Sequence, residues 1–146
     1  MNEFQHPLRI YIEDTDAGGI VYYVNYLKFF ERARTEWWRH RRQPDLGQDT
    51  SAIQFVVRRA EVDYRAPARL DDAVIATADC VEAHGARLVF RQRLLRDTVE
   101  LATATIEVAC VDRLTLKPRR LPAALRAAPT DDQPFEHTAE GAPRND

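Results

Sequence analysis

From Ile53 to Val111 the apolar residues alternate with polar ones almost without a break, and this run constrains the fold more than any other feature of the chain. Such alternation marks strands with one face buried. Ile53, Phe55 and Val57 share one phase. After Arg58-Arg59 the phase flips to Ala60, Val62 and Tyr64. A flip inside one strand predicts a β-bulge, which lets a long strand bend. Ala73 to Val81, Arg87 to Arg96 and Val99 to Val111 read as three further strands, with Leu88, Phe90 and Leu94 on one face. Pro67 and His84-Gly85 fall in turns. Connections this short make the later strands antiparallel neighbours.

Upstream the pattern differs. Leu8, Ile10 and Ile12 alternate with Arg9, Tyr11 and Glu13, which predicts a half-buried strand over Leu8–Glu13. It runs into the polar turn Asp14-Thr15-Asp16-Ala17-Gly18-Gly19. Tyr26, Phe29, Phe30, Ala33 and Trp37 then recur at helical spacing, and Leu27 and Trp38 broaden that stripe. Glu31–Arg34 and Glu36–Arg39 are pairs three residues apart that support a helix. The helix is expected from the low twenties to about Arg42, with Pro44 and Gly47 ending it. One helix cannot cover both faces of five strands. The expected fold is therefore α+β, a curved antiparallel sheet wrapped around one long helix. Its exposed strand edge invites pairing with a second copy, so a homo-oligomer is expected.

The chain has 146 residues, enough for one domain with a real core. Net charge is −2, which gives no reason to expect nucleic-acid binding. Residues 129–146 carry five acids and one base, so the body is left at +2. That segment is rich in Pro, Asp and Glu and reads as a disordered acidic tail. The domain is expected over 1–128, ending in a short helix around Ala123–Ala128. The N-terminus lacks a signal-peptide core, and no apolar run is long enough for membrane insertion. A cytoplasmic address is expected. Cys80 and Cys110 lack metal or redox spacing, and both read as buried reduced thiols. His6, His40, His84 and His137 are scattered, so no metal is assigned.

Chemistry concentrates where the first strand passes into the helix. Asp14 and Asp16 leave a strand end, two glycines follow, and a helix begins soon after. A helix start presents free backbone N–H groups and partial positive charge. Those groups can stabilise a carbonyl oxygen that becomes negative in acyl transfer. A nearby carboxylate can attack that carbonyl or activate water. The alternative is that both acids only cap a turn.

The stretch Arg9-Ile10-Tyr11-Ile12-Glu13-Asp14-Thr15-Asp16-Ala17-Gly18-Gly19-Ile20-Val21-Tyr22, with Asn25-Tyr26 and Phe30-Glu31-Arg32-Ala33-Arg34, resembles the signature of the 4-hydroxybenzoyl-CoA thioesterase family. The branch of Tol-Pal-associated acyl-CoA thioesterases is most similar. The likeness continues at Tyr64-Arg65-Ala66-Pro67-Ala68-Arg69-Leu70-Asp71-Asp72 and at Lys117-Pro118-Arg119-Arg120-Leu121-Pro122.

This resemblance implies the hotdog fold, dimers joined edge to edge and often paired into tetramers, and an active site at a subunit interface. It implies hydrolysis of acyl-CoA thioesters, with coenzyme A as part of the substrate and no cofactor. Asp16 matches the catalytic carboxylate, acting as nucleophile or as general base. Tyr23 matches the position whose backbone N–H polarises the thioester carbonyl. The Tol-Pal branch commonly has His at that position, so a side-chain role for His is lost here. Tyr22 and Tyr26, with Tyr23 and Phe29, are candidates to line the acyl pocket. CoA phosphates need cations, and the pool is Arg58, Arg59, Arg87, Arg91, Lys117, Arg119 and Arg120. Of these, Arg58, Arg59, Arg87 and Lys117 are taken as substrate-binding.

Three rival readings remain. Hotdog hydratases typically carry Asp-x-x-x-x-His, but Gly19 and Val21 stand where His would follow Asp14 and Asp16. A thiol nucleophile lacks an activating neighbour. A non-catalytic protein that binds acyl-CoA or acyl carrier protein, or acts as a scaffold, has no need of Asp16.

Overall fold

A computed structural model describes residues 3–41 and 52–130 of the chain. Its elements are β1 (Phe4–Arg9), α1 (Asn25–Arg41), β2 (Ile53–Tyr64), β3 (Ala73–His84), β4 (Arg87–Arg96), β5 (Val99–Asp112) and the short α2 (Ala123–Arg126). The five strands form one antiparallel sheet in the order β1-β3-β4-β5-β2. Helix α1 lies on one face. This is the hotdog arrangement, an α+β fold.

The apolar stripe of α1 explains the packing. Tyr26, Phe29, Phe30, Ala33 and Trp37 are all buried. Beneath them β3 and β5 offer small residues, Ala76, Ala78, Ala102 and Ala104, and β4 offers Leu88, Phe90 and Leu94. Small side chains on the sheet leave room for aromatics on the helix. Trp37 meets Phe90 edge-on at 5.0 Å between ring centroids. Arg39, His40 and Arg41 close the last described turn, where cations suit the helix dipole. Pro44 and Gly47, the expected stop signals, lie outside the described residues.

The bulge inferred from the phase flip is present, because the register of β2 on β5 shifts between Val57 and Arg59. Two further shifts, at Cys80/Glu82 and at Leu94/Leu95, curve the sheet.

Three expectations need correction. The first strand is Phe4–Arg9 and not Leu8–Glu13. Pairing with β3 ends at Arg9↔Ala73, and Ile10 then exchanges backbone bonds with Asp71 and Asp72. Beyond it the Tyr11 N–H donates to the Asp14 carboxylate at 2.9 Å, and Ile12–Asp14 forms a 3-10 turn. Ile12 is 74% exposed, so the third member of that alternation never reaches the core. Second, α1 begins at Asn25. Tyr22, Tyr23 and Val24 form a tight lead-in whose carbonyls accept the N–H groups of Asn25, Tyr26 and Leu27. Third, Arg34 donates to Gln92 of β4 at 2.9 Å and not to Glu31. Glu31 acts on it only as a nearby charge.

Past β5 the chain packs Leu121, Leu125 and Ala128 into the core. Ala128–Thr130 forms a 3-10 turn. The expected acidic tail, 129–146, lies outside the described residues from 131 onward. No described helix is long and apolar enough to cross a membrane.

Candidate active site

Residues 15–21 form a miniature hairpin. The Gly19 N–H donates to the Asp16 carbonyl at 3.1 Å, and the Asp16 N–H donates to the Ile20 carbonyl at 3.0 Å. Gly19 has φ +84°, a left-handed conformation that a side chain resists. Thr15 and Val21 bridge across the base.

Asp14 and Asp16 separate cleanly. Asp14 is 3% exposed and its carboxylate closes the 3-10 turn on Tyr11. Its backbone carbonyl accepts Asn25 Nδ2 at 2.8 Å and the Tyr22 N–H at 3.1 Å. Asp14 therefore ties the hairpin to the helix lead-in. Asp16 is exposed, and its Oδ1 accepts the Gly18 N–H at 2.9 Å. Among the described residues its Oδ2 has no protein partner.

A second layer grips the hairpin from residues 66–72. The Val21 N–H donates to the Ala68 carbonyl at 2.9 Å, and the Leu70 N–H to the Gly19 carbonyl at 3.3 Å. The Asp72 carboxylate accepts the Arg69 N–H and Arg96 Nη1, both at 2.8 Å. Burial alone would raise the Asp72 carboxyl. The hydrogen bonds from Arg69 and Arg96, with their charges, outweigh it and hold the group below the usual carboxylate range.

The amides of the lead-in point to a second function. Among the described residues the Tyr23 and Val24 N–H groups donate to no protein acceptor. Their carbonyl partners are engaged. The Tyr22 carbonyl accepts the Asn25 N–H at 2.8 Å, and the Tyr23 carbonyl accepts the Tyr26 N–H at 3.2 Å. The start of α1 thus presents two free donors joined to Asp16 through the hairpin.

The sequence-based candidates divide. Tyr22 and Tyr23 are exposed, with rings 5.2 Å apart, beside this lead-in. Tyr26, expected in the acyl pocket, is 3% exposed in this chain, and its hydroxyl accepts the Ala68 N–H at 3.0 Å. It supports the site from within the core. The cations are not gathered at Asp16 within one chain. Tyr64, at the site end of β2, contacts Tyr23, whereas Arg58 lies six residues back, about 20 Å along a strand. Arg58 and Arg87 both pair with Glu107 at 3.3 Å, and Arg59 faces Glu61 at 3.4 Å. Lys117 sits farther still, in the turn after β5 near the Ile53 end of β2.

Sequence reasoning passed over Asn25 and Tyr64 as site residues, although both belong to the motifs it singled out. It also passed over Arg96, whose partner Asp72 is distant in sequence. Burial pushes the Cys80 thiol up to about 12 and raises Cys110 as well, which disfavours a thiolate nucleophile. Among the described residues no group of three or more His, Cys, Asp or Glu could hold a metal ion.

Comparison with known proteins agrees with this architecture. The family model of the thioesterase-like superfamily matches residues 10–128. The chain belongs to that superfamily and is a thioester hydrolase. It is 45% identical over 129 residues to the acyl-CoA thioesterase YbgC of Haemophilus influenzae, covering 87% of this chain and 94% of that protein. It is 44% identical over 125 residues to the acyl-CoA thioester hydrolase YbgC of Escherichia coli O157:H7, covering 85% and 93%. The YbgC proteins are the Tol-Pal-associated branch that the motifs resemble. Among solved structures, a probable thioesterase from Bartonella henselae superposes with TM-score 0.72 at 35% identity, over 84% of this chain and 100% of that one.

Proposed function

We propose that this thioesterase hydrolyses acyl-coenzyme A thioesters, with Asp16 as the essential carboxylate and the Tyr23 backbone N–H polarising the carbonyl. The observation that carries the reading is the pairing of an exposed carboxylate, fixed on a rigid hairpin, with free amides at the start of α1. The names of the YbgC relatives support the acyl-CoA substrate.

Two routes fit Asp16. As nucleophile it forms a mixed anhydride and releases the CoA thiolate, and water then cleaves the anhydride. As general base it takes a proton from water as that water attacks the thioester. Either way one water is consumed, and free acid and CoA thiol leave. Charge builds on the thioester oxygen, and the Tyr23 N–H, with Val24 beside it, faces that charge. One such donor typically contributes 10²–10³ in kcat.

An apolar groove of about 420 Å³ runs beside α1 from Leu27 to Trp38, walled by Phe55 and Val57 of β2, and offers room for an acyl group. Among the described residues the outer edge of β2 has no neighbouring strand, which supports a homo-oligomer, dimer or tetramer, joined there. A second copy could also bring Arg58, Arg59, Arg87 or Lys117 toward the CoA phosphates. Acyl carrier protein presents the same thioester and is a candidate partner. No cofactor enters this chemistry, and a cytoplasmic setting suits CoA substrates.

Thiol release from an acyl-CoA panel tests the reading, with butyryl-, octanoyl-, palmitoyl-, benzoyl- and 4-hydroxybenzoyl-CoA as substrates. Wild type should hydrolyse at least one member, and Asp16→Asn should lose at least 10³-fold in kcat while staying folded. Near-normal turnover by Asp16→Asn would refute the assignment. A folded wild type inert on the whole panel would favour a non-catalytic acyl-binding protein.

A further inference from the structure

We propose that Tyr64 is a positioning residue for the oxyanion-binding amides, an inference that rests on the reading of Asp16 and Tyr23 above. Tyr64 is the last residue of β2 and pairs with Ala102 of β5. The next two residues hold the chain there, because the Arg65 and Ala66 N–H groups both donate to the Leu101 carbonyl, at 2.8 and 3.1 Å. The backbone of Tyr64 is thus fixed by the sheet, and its side chain reaches across to the helix lead-in.

The reach ends on one atom. Tyr64 Oη donates to the Tyr23 carbonyl at 3.2 Å. That carbonyl also accepts the Tyr26 N–H, so two donors converge on it. The carbonyl belongs to the peptide unit whose other end is the Val24 N–H, one of the two free donors. Hydrogen bonds to a peptide oxygen draw electron density along the unit and make its N–H a stronger donor. They also stop the peptide from rotating. An oxyanion then meets dipoles that need no reorganisation as charge develops.

The rings hold the hydroxyl in place. Tyr64 stands edge-on to Tyr26 at 5.1 Å and edge-on to Tyr23 at 5.8 Å, both at 90°. Tyr26 is itself anchored to the Ala68 N–H. Ring and hydroxyl can therefore be separated. In Tyr64→Phe both ring contacts survive, and the Tyr23 carbonyl keeps the Tyr26 N–H. Because Tyr64 is 44% exposed, no buried group is orphaned. A residue that only packed would not notice the loss.

The test measures kcat, KM and Tm for wild type, Tyr64→Phe and Asp16→Asn with butyryl-CoA and benzoyl-CoA. Tyr64→Phe should lower kcat roughly 3–10-fold, the size of one neutral hydrogen bond, with KM within about twofold and Tm within about 2 °C. An unchanged kcat in Tyr64→Phe, beside an inactive Asp16→Asn, overturns this proposal and leaves the reading of Asp16 intact. A loss in kcat matched by a rise in KM or a fall in Tm beyond about 5 °C also overturns it, since the effect would then be general. Active Asp16→Asn, or no turnover by wild type, removes the reading on which the proposal stands.

Discussion

Gln92→Leu should destabilise this protein by about 3 kcal/mol, although Leu nearly matches Gln in volume. Gln92 is 1% exposed and faces the helix from β4. Its Nε2 donates to the Phe30 carbonyl at 3.0 Å and to the Thr77 carbonyl at 2.9 Å, while its Oε1 accepts Arg34 Nη1 at 2.9 Å. Leu leaves all three partners without their bond. Each bond lost by a carbonyl costs about 1 kcal/mol, and the bond lost by the guanidinium about 2. Arg34 lines the groove beside α1 and can turn partly toward water, which reduces the sum from about 4 to about 3 kcal/mol. For a domain of this length that is a fall in Tm of about 10 °C. The assay is thermal and urea unfolding at one fixed protein concentration, because oligomerisation shifts apparent stability. Arg34→Met added to Gln92→Leu removes the stranded charge and should restore about 1–2 kcal/mol. A Gln92→Leu protein within about 1 kcal/mol of wild type, or a double variant weaker than the sum of the singles, would refute the reasoning.

Two other perturbations separate support from chemistry. Asp14→Ala takes the buried acceptor from the Tyr11 N–H, so it should cost about 1–2 kcal/mol in urea unfolding, whereas Asp16→Asn should leave that curve unmoved. The Asp72–Arg96 pair, 2.8 Å apart and partly exposed, should contribute about 1 kcal/mol at neutral pH. Because the folded Asp72 carboxyl lies below its unfolded value, that contribution is present above about pH 4 and fades as pH falls through the folded value. Urea unfolding of wild type and Arg96→Met should therefore differ at pH 7 and converge as the pH falls through the folded value. A gap that widens in acid would contradict the assignment.

What the sequence made legible was local. The aromatic stripe from Tyr26 to Trp37 reads as a helix face because helical spacing alone sets it. The bulge at Arg58 reads from a change of phase, which is also a property of neighbours in sequence. The boundary of β1 did not read, because Arg9 ends the strand only where its partner strand begins, at Ala73. Alternation continues to Ile12, yet no strand lies opposite. Spacing pairs Arg34 with Glu31 on the helix surface, since nothing in the sequence places Gln92 beneath it. The placement of the cations did not read for a related reason. Charge marks Arg58, Arg59, Arg87 and Lys117 as available to phosphate, but only the sheet register shows them far from Asp16 and, for the three arginines, beside carboxylates of their own.

Asp14 and Asp16 stand two residues apart and were equal candidates by composition. Their environments differ. Asp14 is buried and its carboxylate is turned onto the Tyr11 N–H, whereas Asp16 is exposed. The Asp16 carboxylate accepts one hydrogen bond, from Gly18, and the residue is held in place through its backbone by Ile20 and Gly19. The hairpin is fixed by groups that do not bond to the Asp16 carboxylate: Asp14 and Asn25 on one side, Ala68 and Leu70 on the other, and Asp72 with Arg96 behind them. This division explains why the likeness to thioesterases extends through Tyr64–Asp72, far in sequence from the carboxylate. That segment holds the hairpin and the lead-in of α1 without a hydrogen bond to the Asp16 carboxylate.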